Sequence, residues 1–553
     1  MTTTDVRRPA PAPGPIRHAQ AERGSIRGWT WLLALVLRRD RVRLLVWAGA
    51  VGALVLVSAS SIEGLYSTPD KLATYSQLAE GNAAVIVQAG PGYGLEQPTV
   101  GAVLMNEISI WTLILVSLMS IFMITRHTRA EEESDRAEIL RATPVGRYAG
   151  AVAAMAGVLI ANMATSLVVA GGLLLSGFEA GGSVAFALSL SGCGIFFAGV
   201  ALVTGQVASS SRAATGLALI VLGVSFVLRA IGDVGNGVLS WLSPLHWGQA
   251  IRAFAGERWW VLVLPIVGAF ALGWLSVVLA GHRDFGAGMV PQRPGDPAAG
   301  PMLSTPFGLA MRLQRGAVLG WLAGIVVIGV FYGVITDEVE QMVRDNPDME
   351  AFFTQADVGS ITDSFLATAA MMLGLLVSGY VVSGVLRLRT EEANVRADPI
   401  LATPTSRARW AGSHLLVAAM GMLVLLAAGG FGVGVGAAAV TGDSSRVLQM
   451  VGAALVVAPA VAVIGALAYA LFAFVPHWSM LAWVGVALVV VVGLLGEALN
   501  LPDWARELSP FQHVPPVPGS ALTAGPLVAL TAIVAALVLV AMAGLVRRDI
   551  GRS

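Results

Sequence analysis

The sequence predicts an all-α polytopic membrane protein of about 12 transmembrane helices, arranged as two parallel six-helix repeats. Three observations predict it. Hydrophobic residues make up 56% of the 553 positions and charged residues only 12%, against roughly 25% charged in a soluble domain. About a dozen runs each supply the roughly 20 mostly apolar residues that a bilayer crossing needs. They are continuously apolar rather than alternating, which argues against a barrel. Finally, one charged stretch occurs twice: Arg129 to Arg147 reads RAEEESDRAEILRATPVGR, and 260 residues on Arg389 to Arg407 reads RTEEANVRADPILATPTSR, identical at nine of 19 positions without a gap.

Taken in order, residues 1–24 are rich in Pro, Ala and Arg and lack an apolar core. They read as a flexible cytosolic tail rather than a cleaved signal peptide. The first six-span half covers 25–281. Its start, 25–43, sets Trp29 and Trp31 among Arg27, Arg38, Arg39, Arg41 and Arg43. This suits an interfacial amphipathic helix at the headgroup level or a plain extension of the first span. Spans are expected near 44–62, 104–125, 149–176, 184–208, 213–231 and 260–281, with a polar outer segment at 63–103. Residues 282–306 are a Pro- and Gly-rich linker; Arg283, Arg293, Arg312 and Arg315 assign this region to the cytosol. The second half, 307–553, restarts with an interfacial-type segment. Its spans are expected near 316–335, 364–386, 411–440, 447–474, 480–499 and 527–546, and its acidic stretch at 337–363 suits the outer side. Leu242-Ser243-Pro244 recurs as Leu508-Ser509-Pro510 before the last span of each half, as a kink, a re-entrant break or a simple turn. Gly430, Gly432, Gly434 and Gly436 suggest close helix packing. Charge placement leaves both termini cytosolic in a multi-pass protein of the plasma membrane.

Several function classes are excluded. Net charge is zero, so nothing suggests a nucleic-acid partner. Cys193 is the only cysteine and no His/Cys cluster has metal-ligand spacing. Lys71 is the only lysine, and no GxxxxGK[ST] loop surrounds it, so the chain is not a P-loop ATPase by itself. No catalytic residues are indicated.

The repeated island carries chemistry of its own. Glu131-Glu132 and Glu391-Glu392 place negative charge at the start of a short helix, where the macrodipole favours it. Arg136 and Arg396 follow within reach of those acids on one helical face. Thr143-Pro144 and Thr403-Pro404 look like the N-cap and first residue of the next helix. Arg147 and Arg407 fall at the inner headgroup level. A charge anchor needs no glutamate pair, whereas a two-fold symmetric partner needs one surface twice; a relic of duplication is the plainer alternative.

With these features the chain resembles the permeases of ABC exporters. It is most similar to the fused, double-length permeases of the polyketide-antibiotic exporter type of actinobacteria, including the tetronasin-type multidrug efflux permeases of mycobacteria. The resemblance implies an exporter-permease fold in which the two islands are coupling helices. Each would dock on one of two copies of a separate nucleotide-binding ATPase subunit, which would hold ATP and Mg; this chain would carry no cofactor. By position the implied docking residues are Glu131, Glu132, Arg136, Thr143, Pro144 and Arg147, with Glu391, Glu392, Arg396, Thr403, Pro404 and Arg407. The second copy departs at Pro399, Leu401 and Thr405. The implied cargo is a hydrophobic or amphipathic antibiotic or drug.

Candidates for the substrate pathway are Asn106 and Glu107, since polar groups in spans are costly and often functional, together with Arg229, Phe226, Phe365, Met371 and Met372. For Arg229 snorkelling is the alternative, and for the apolar residues ordinary packing. A proton-driven secondary multidrug transporter is the rival reading, because Asp135-Arg136 imitates a loop motif of that class and it too has 12 spans in two halves. A lipid-linked transferase, using Asp337, Glu338 and Glu340, is the enzyme alternative.

Overall fold

A computed structural model describes residues 26–79, 83–134, 145–283, 286–290, 297–337, 361–495 and 502–548. The tail at 1–24, Asp135, Arg136, Thr143, Pro144, Arg293, Glu338 and Glu340 lie outside the described residues. Among those described there is no strand, and 12 helices are long and apolar enough to cross a membrane. The chain divides into two units, Met1–Pro294 and Gly295–Ser553.

The first unit opens with α1 (Trp29–Leu65), one uninterrupted helix of 37 residues. No Gly or Pro interrupts it before Gly49, so the arginine-bearing start extends the first span rather than forming a separate element. At 1.5 Å per residue it is about 55 Å long. Short helices α2 (Pro69–Ala79) and α3 (Ala83–Ala89) follow. Helix α4 (Val100–His127) begins where Thr99 Oγ1 accepts from the Ala102 N–H at 3.1 Å, and α5 (Arg129–Glu133) continues it. Then come α6 (Ala149–Leu175), α7 (Ala180–Val207), α8 (Ser211–Val234), α9 (Pro244–Ala250) and α10 (Val263–Gly281). Helices α4 and α7 form the centre: 72% and 78% of their most apolar windows are buried, against 22% for α10. Ser243-Pro244 is a plain helix start, Pro244 opening α9 while Ser243 Oγ donates to the Ser225 carbonyl at 2.7 Å.

The second unit holds α11 (Pro306–Val334), α12 (Ile361–Val385), α13 (Arg387–Ala393), α14 (Asp398–Leu401) and α15 (Arg407–Thr441). Next are α16 (Ser445–Val456), α17 (Ala458–Phe474), α18 (Ala482–Leu495), α19 (Asp503–Glu507) and α20 (Ala524–Arg547). Helix α12 is central and α20 peripheral, with 72% and 11% of their windows buried. The expected span at 447–474 is present as one crossing, Ser445–Phe474, with a one-residue irregularity at Val457 between α16 and α17, beside Pro459, which lacks the N–H that would continue the ladder. Ser509-Pro510 opens a single 3₁₀ turn, Pro510–His513.

Helix α15 lies between α11 and α16 at backbone contact. A Cβ on Gly333 would stand 2.2 Å from the Val433 carbonyl oxygen, and one on Gly436 2.4 Å from that of Val330. On the other side, Gly430 and Gly434 would meet the Met450 carbonyl at 2.4 Å and Val447 Cα at 2.5 Å. The glycines singled out by the sequence are therefore the surface on which three helices meet.

Candidate functional site

The first island begins as a continuation of the second span. The Thr128 N–H donates to the Ile124 carbonyl at 3.0 Å, and the Glu132 N–H to that of Thr128 at 3.1 Å. All three glutamates then turn to partners within the unit. Glu131 pairs with Arg39 of α1. Glu133 Oε2 accepts from the Ser211 N–H at 3.1 Å and from Ser211 Oγ, a carboxylate at the N-terminus of α8, where the helix dipole favours it. Glu132 accepts from Arg129 Nη1 at 2.8 Å, and from Arg283 Nη2 at 2.8 and 3.0 Å.

Arg129 is 1% exposed; its Nη2 donates to the carbonyls of Ser209 (2.7 Å) and Gly286 (2.8 Å), and its Nη1 also to that of Ala287 (3.2 Å). Arg283 lies two residues beyond α10. It also donates through Nε to Gln206 Oε1 at 2.5 Å, near the end of α7. At the far end of the island, Arg147 donates to the carbonyls of Ala280 and Arg283.

The second island repeats this plan with other atoms. Glu391 is buried, 3.1 Å from Arg387 Nε and 3.9 Å from Arg396 Nη1, so Arg396 lies beside that acid as its spacing suggests. Glu392 accepts from Arg548 Nη2 at 2.6 Å. Arg548 follows α20 directly and donates through Nη1 to the Phe472 carbonyl at 3.0 Å, near the end of α17. Arg407 donates to the carbonyls of Val546, at 3.1 Å, and Arg548. Between α13 and α14 the chain turns at Val395, whose φ of 58° is the left-handed conformation that ordinary side chains seldom take. Val395 is 62% exposed there, with Arg396, Asp398, Pro399, Thr403 and Pro404 exposed around it.

One expectation is corrected here. Thr403-Pro404 does not start the third-span helix of the second half. Thr403 Oγ1 donates back to the Ile400 carbonyl at 2.6 Å, closing α14, and α15 starts only at Arg407. Ser406 is its N-cap, accepting from the Arg409 N–H at 3.2 Å. Of the three hydroxyls in Thr403–Ser406, the one next to the helix with extended backbone does the capping.

Sequence reasoning missed Arg39, Arg129, Arg283 and Arg548 as partners of the islands. It also missed Asp40, which is 1% exposed and lies 2.5 Å from His127 Nε2, 3.1 Å from Arg43 Nη1 and 3.6 Å from Arg126 Nε. The one available signal was the arginine just beyond the last apolar run of each half.

The pathway candidates fall into separate groups. Asn106 Nδ2 donates to Tyr75 Oη at 2.8 Å, and Tyr75 Oη donates to Glu107 Oε1 at 2.6 Å, so the two join α4 to α2. Burial, and then that bond to Glu107, push the Tyr75 hydroxyl above its usual pKa. Asn106 also lines a cavity of about 30 Å³ with Gln249 and Arg252, far below the roughly 300 Å³ of a drug-sized pocket.

Arg229 does not snorkel. It is fully buried, donating to the Ile86 carbonyl at 3.3 Å and to that of Val87, with Asp233 Oδ2 at 3.7 Å and the Phe226 ring centre at 4.8 Å. His246 Nδ1 and Ser240 Oγ approach the other oxygen of Asp233 at 3.1 and 2.6 Å. Phe365 lies 6.4 Å from the Tyr332 ring, and Met371 and Met372 pack on the core of the second unit. Among the described residues no group of three or more His, Cys, Asp or Glu could hold a metal ion.

Comparison with known proteins relates the chain to one family. Residues 303–545 match the family model described as the C-terminal domain of multidrug efflux system permease Rv1217c. Over its full length the chain is 38% identical, across 560 aligned residues and 100% of both chains, to the multidrug efflux system permease protein Rv1217c of Mycobacterium tuberculosis strain H37Rv.

Proposed function

The chain belongs to the multidrug efflux permease family of Rv1217c, and from that premise we propose that it is the permease subunit of an ATP-driven ABC exporter. Two copies of a separate ATPase subunit, holding ATP and Mg, dock on the two islands at the cytosolic face of the plasma membrane, where both termini also lie. The cargo is a hydrophobic or amphipathic compound of the antibiotic type, tetronasin-like polyketides included. The observation that carries this reading is the island built twice: in each unit a second span runs on into a short helix, one of whose acids is held from within by an arginine beyond the sixth span. A mere loop needs no such repetition, while a two-fold symmetric partner needs the same surface twice.

Because Glu132, Glu391 and Glu392 are occupied internally, the partner meets the exposed turn instead. In the second island that is Val395, Arg396, Thr403 and Pro404. The chain is tagged in its own host, purified gently, and its companions identified. A P-loop ATPase at two copies per chain is expected, falling to about one when Val395→Asp and Arg396→Glu are combined. A chain that purifies alone and moves drugs under a proton gradient would overturn the reading. The buried Asp40–His127 contact at 2.5 Å favours that rival, since carboxylate–imidazole pairs suit proton transfer.

A further inference from the structure

Each island is joined to two span ends of its own unit, and the join is the same in both units although the atoms differ. In the first, Glu132 binds Arg283; Arg283 reaches Gln206 near the end of the fourth span, and Arg147 bonds to the carbonyls that end the sixth. In the second, Glu392 binds Arg548; Arg548 reaches the Phe472 carbonyl near the end of the fourth span of that half, and Arg407 bonds to the carbonyls that end the last. The glutamate and arginine are 151 residues apart in one unit and 156 in the other. The acceptor on the fourth span is a side-chain amide in one and a backbone carbonyl in the other. The link has thus been kept while the residue supplying it has not.

These links are short and charge-assisted, the strong kind of hydrogen bond. Arg283 is 7% and Glu392 9% exposed in their side chains, so solvent screens them little. A guanidinium suits the junction because it donates in several fixed directions at once.

We infer that Arg283 and Arg548 are positioning residues for transport, each holding its island to the ends of the fourth and sixth spans so that island and spans move as one body. The inference deepens the exporter reading and rests on it. If ATP-driven closure displaces the islands, the spans that receive the displacement directly are the second, which is continuous with the island, and the fourth and sixth, which are clipped to it.

The test replaces the ion pairs by covalent links. The pairs Glu132→Cys with Arg283→Cys, and Glu392→Cys with Arg548→Cys, are made in the full-length chain expressed with its native companions. Cys193 is buried and serves as its own control. Initial rates of drug uptake are read in inside-out vesicles before and after a short homobifunctional methanethiosulfonate reagent, beside the melting temperature and the retained companion proteins. Free thiols are expected to lower transport at least tenfold with the fold intact, and bridging to restore at least half of it. Wild-type transport with free thiols overturns the inference; so does transport that bridging abolishes, because the junction would then have to open in each cycle.

Should a cysteine pair fail to fold, Glu132→Gln with Glu392→Gln preserves shape and removes charge. A tenfold loss at unchanged melting temperature supports the inference, and unchanged transport overturns it. The exporter reading fails on a separate result, the absence of an ATPase from the wild-type preparation.

Discussion

Replacing Gly333 by alanine drives one new methyl group into the backbone of a neighbouring helix. Its Cβ would stand 2.2 Å from the Val433 carbonyl oxygen and 2.6 Å from the Ala437 nitrogen, both on α15. Ordinary contact begins near 3.4 Å, so the helices must part by about 1 Å, and no side chain can swing away to relieve it. Overpacking of this kind costs about 1–3 kcal/mol. Alanine returns up to about 1 kcal/mol in helix propensity. The same return accrues at Gly324, on the same helix, where a Cβ meets nothing within 4 Å. The propensity gain therefore cancels between the two variants, and Gly333→Ala should be less stable than Gly324→Ala by about 1–3 kcal/mol. Unfolding in mixed micelles titrated with sodium dodecyl sulfate, followed by far-ultraviolet circular dichroism, gives the two midpoints. If Gly333→Ala unfolds at or above the midpoint of Gly324→Ala, α11 and α15 do not meet at these glycines and the packing argument fails.

Two further outcomes follow from the sites described. Arg229→Met strands the Asp233 carboxylate and two carbonyls of α3; breaking a buried pair costs about 3–5 kcal/mol, and the support Asp233 retains from Ser240 and His246 places this one at the low end. It should appear as a sharply lower monodisperse yield in size-exclusion chromatography, and an unchanged yield would contradict the buried assignment. Ser406→Ala should destabilise the second unit by about 1 kcal/mol through loss of the α15 cap, whereas Thr403→Ala should cost less because it only closes α14; thermal unfolding that ranks them the other way would restore Thr403 as the cap.

The fold was legible because a bilayer imposes a one-dimensional rule. A span must be apolar for about 20 residues, and that can be counted along the chain without knowing any contact. The islands were legible because duplication printed them twice. Their partners were not. Glu132 and Arg283 are 151 residues apart, and nothing in either stretch encodes the approach of α10 to the island. Capping failed for a local reason: Thr403, Thr405 and Ser406 all offer a hydroxyl, and only the backbone at Ser406 decides among them. The separate interfacial helix failed because amphipathic composition says where a helix prefers to lie, whereas the absence of Gly or Pro before Gly49 lets α1 run on. The snorkelling alternative for Arg229 failed because an arginine near a span end usually reaches for water, and only the fold sets the carbonyls of Ile86 and Val87 above it.

Among the described residues the junction arginines bond within their own unit: Arg283 and Arg147 to Gln206, Glu132 and Ala280, and Arg548 and Arg407 to Phe472, Glu392 and Val546. Among the described residues between Arg283 and Thr305, none is bonded to the second junction and only those from Gly286 to Met289 reach the one before it. A gene split in that interval would encode two products, each carrying a finished junction. What the single reading frame supplies is one copy of each half per molecule.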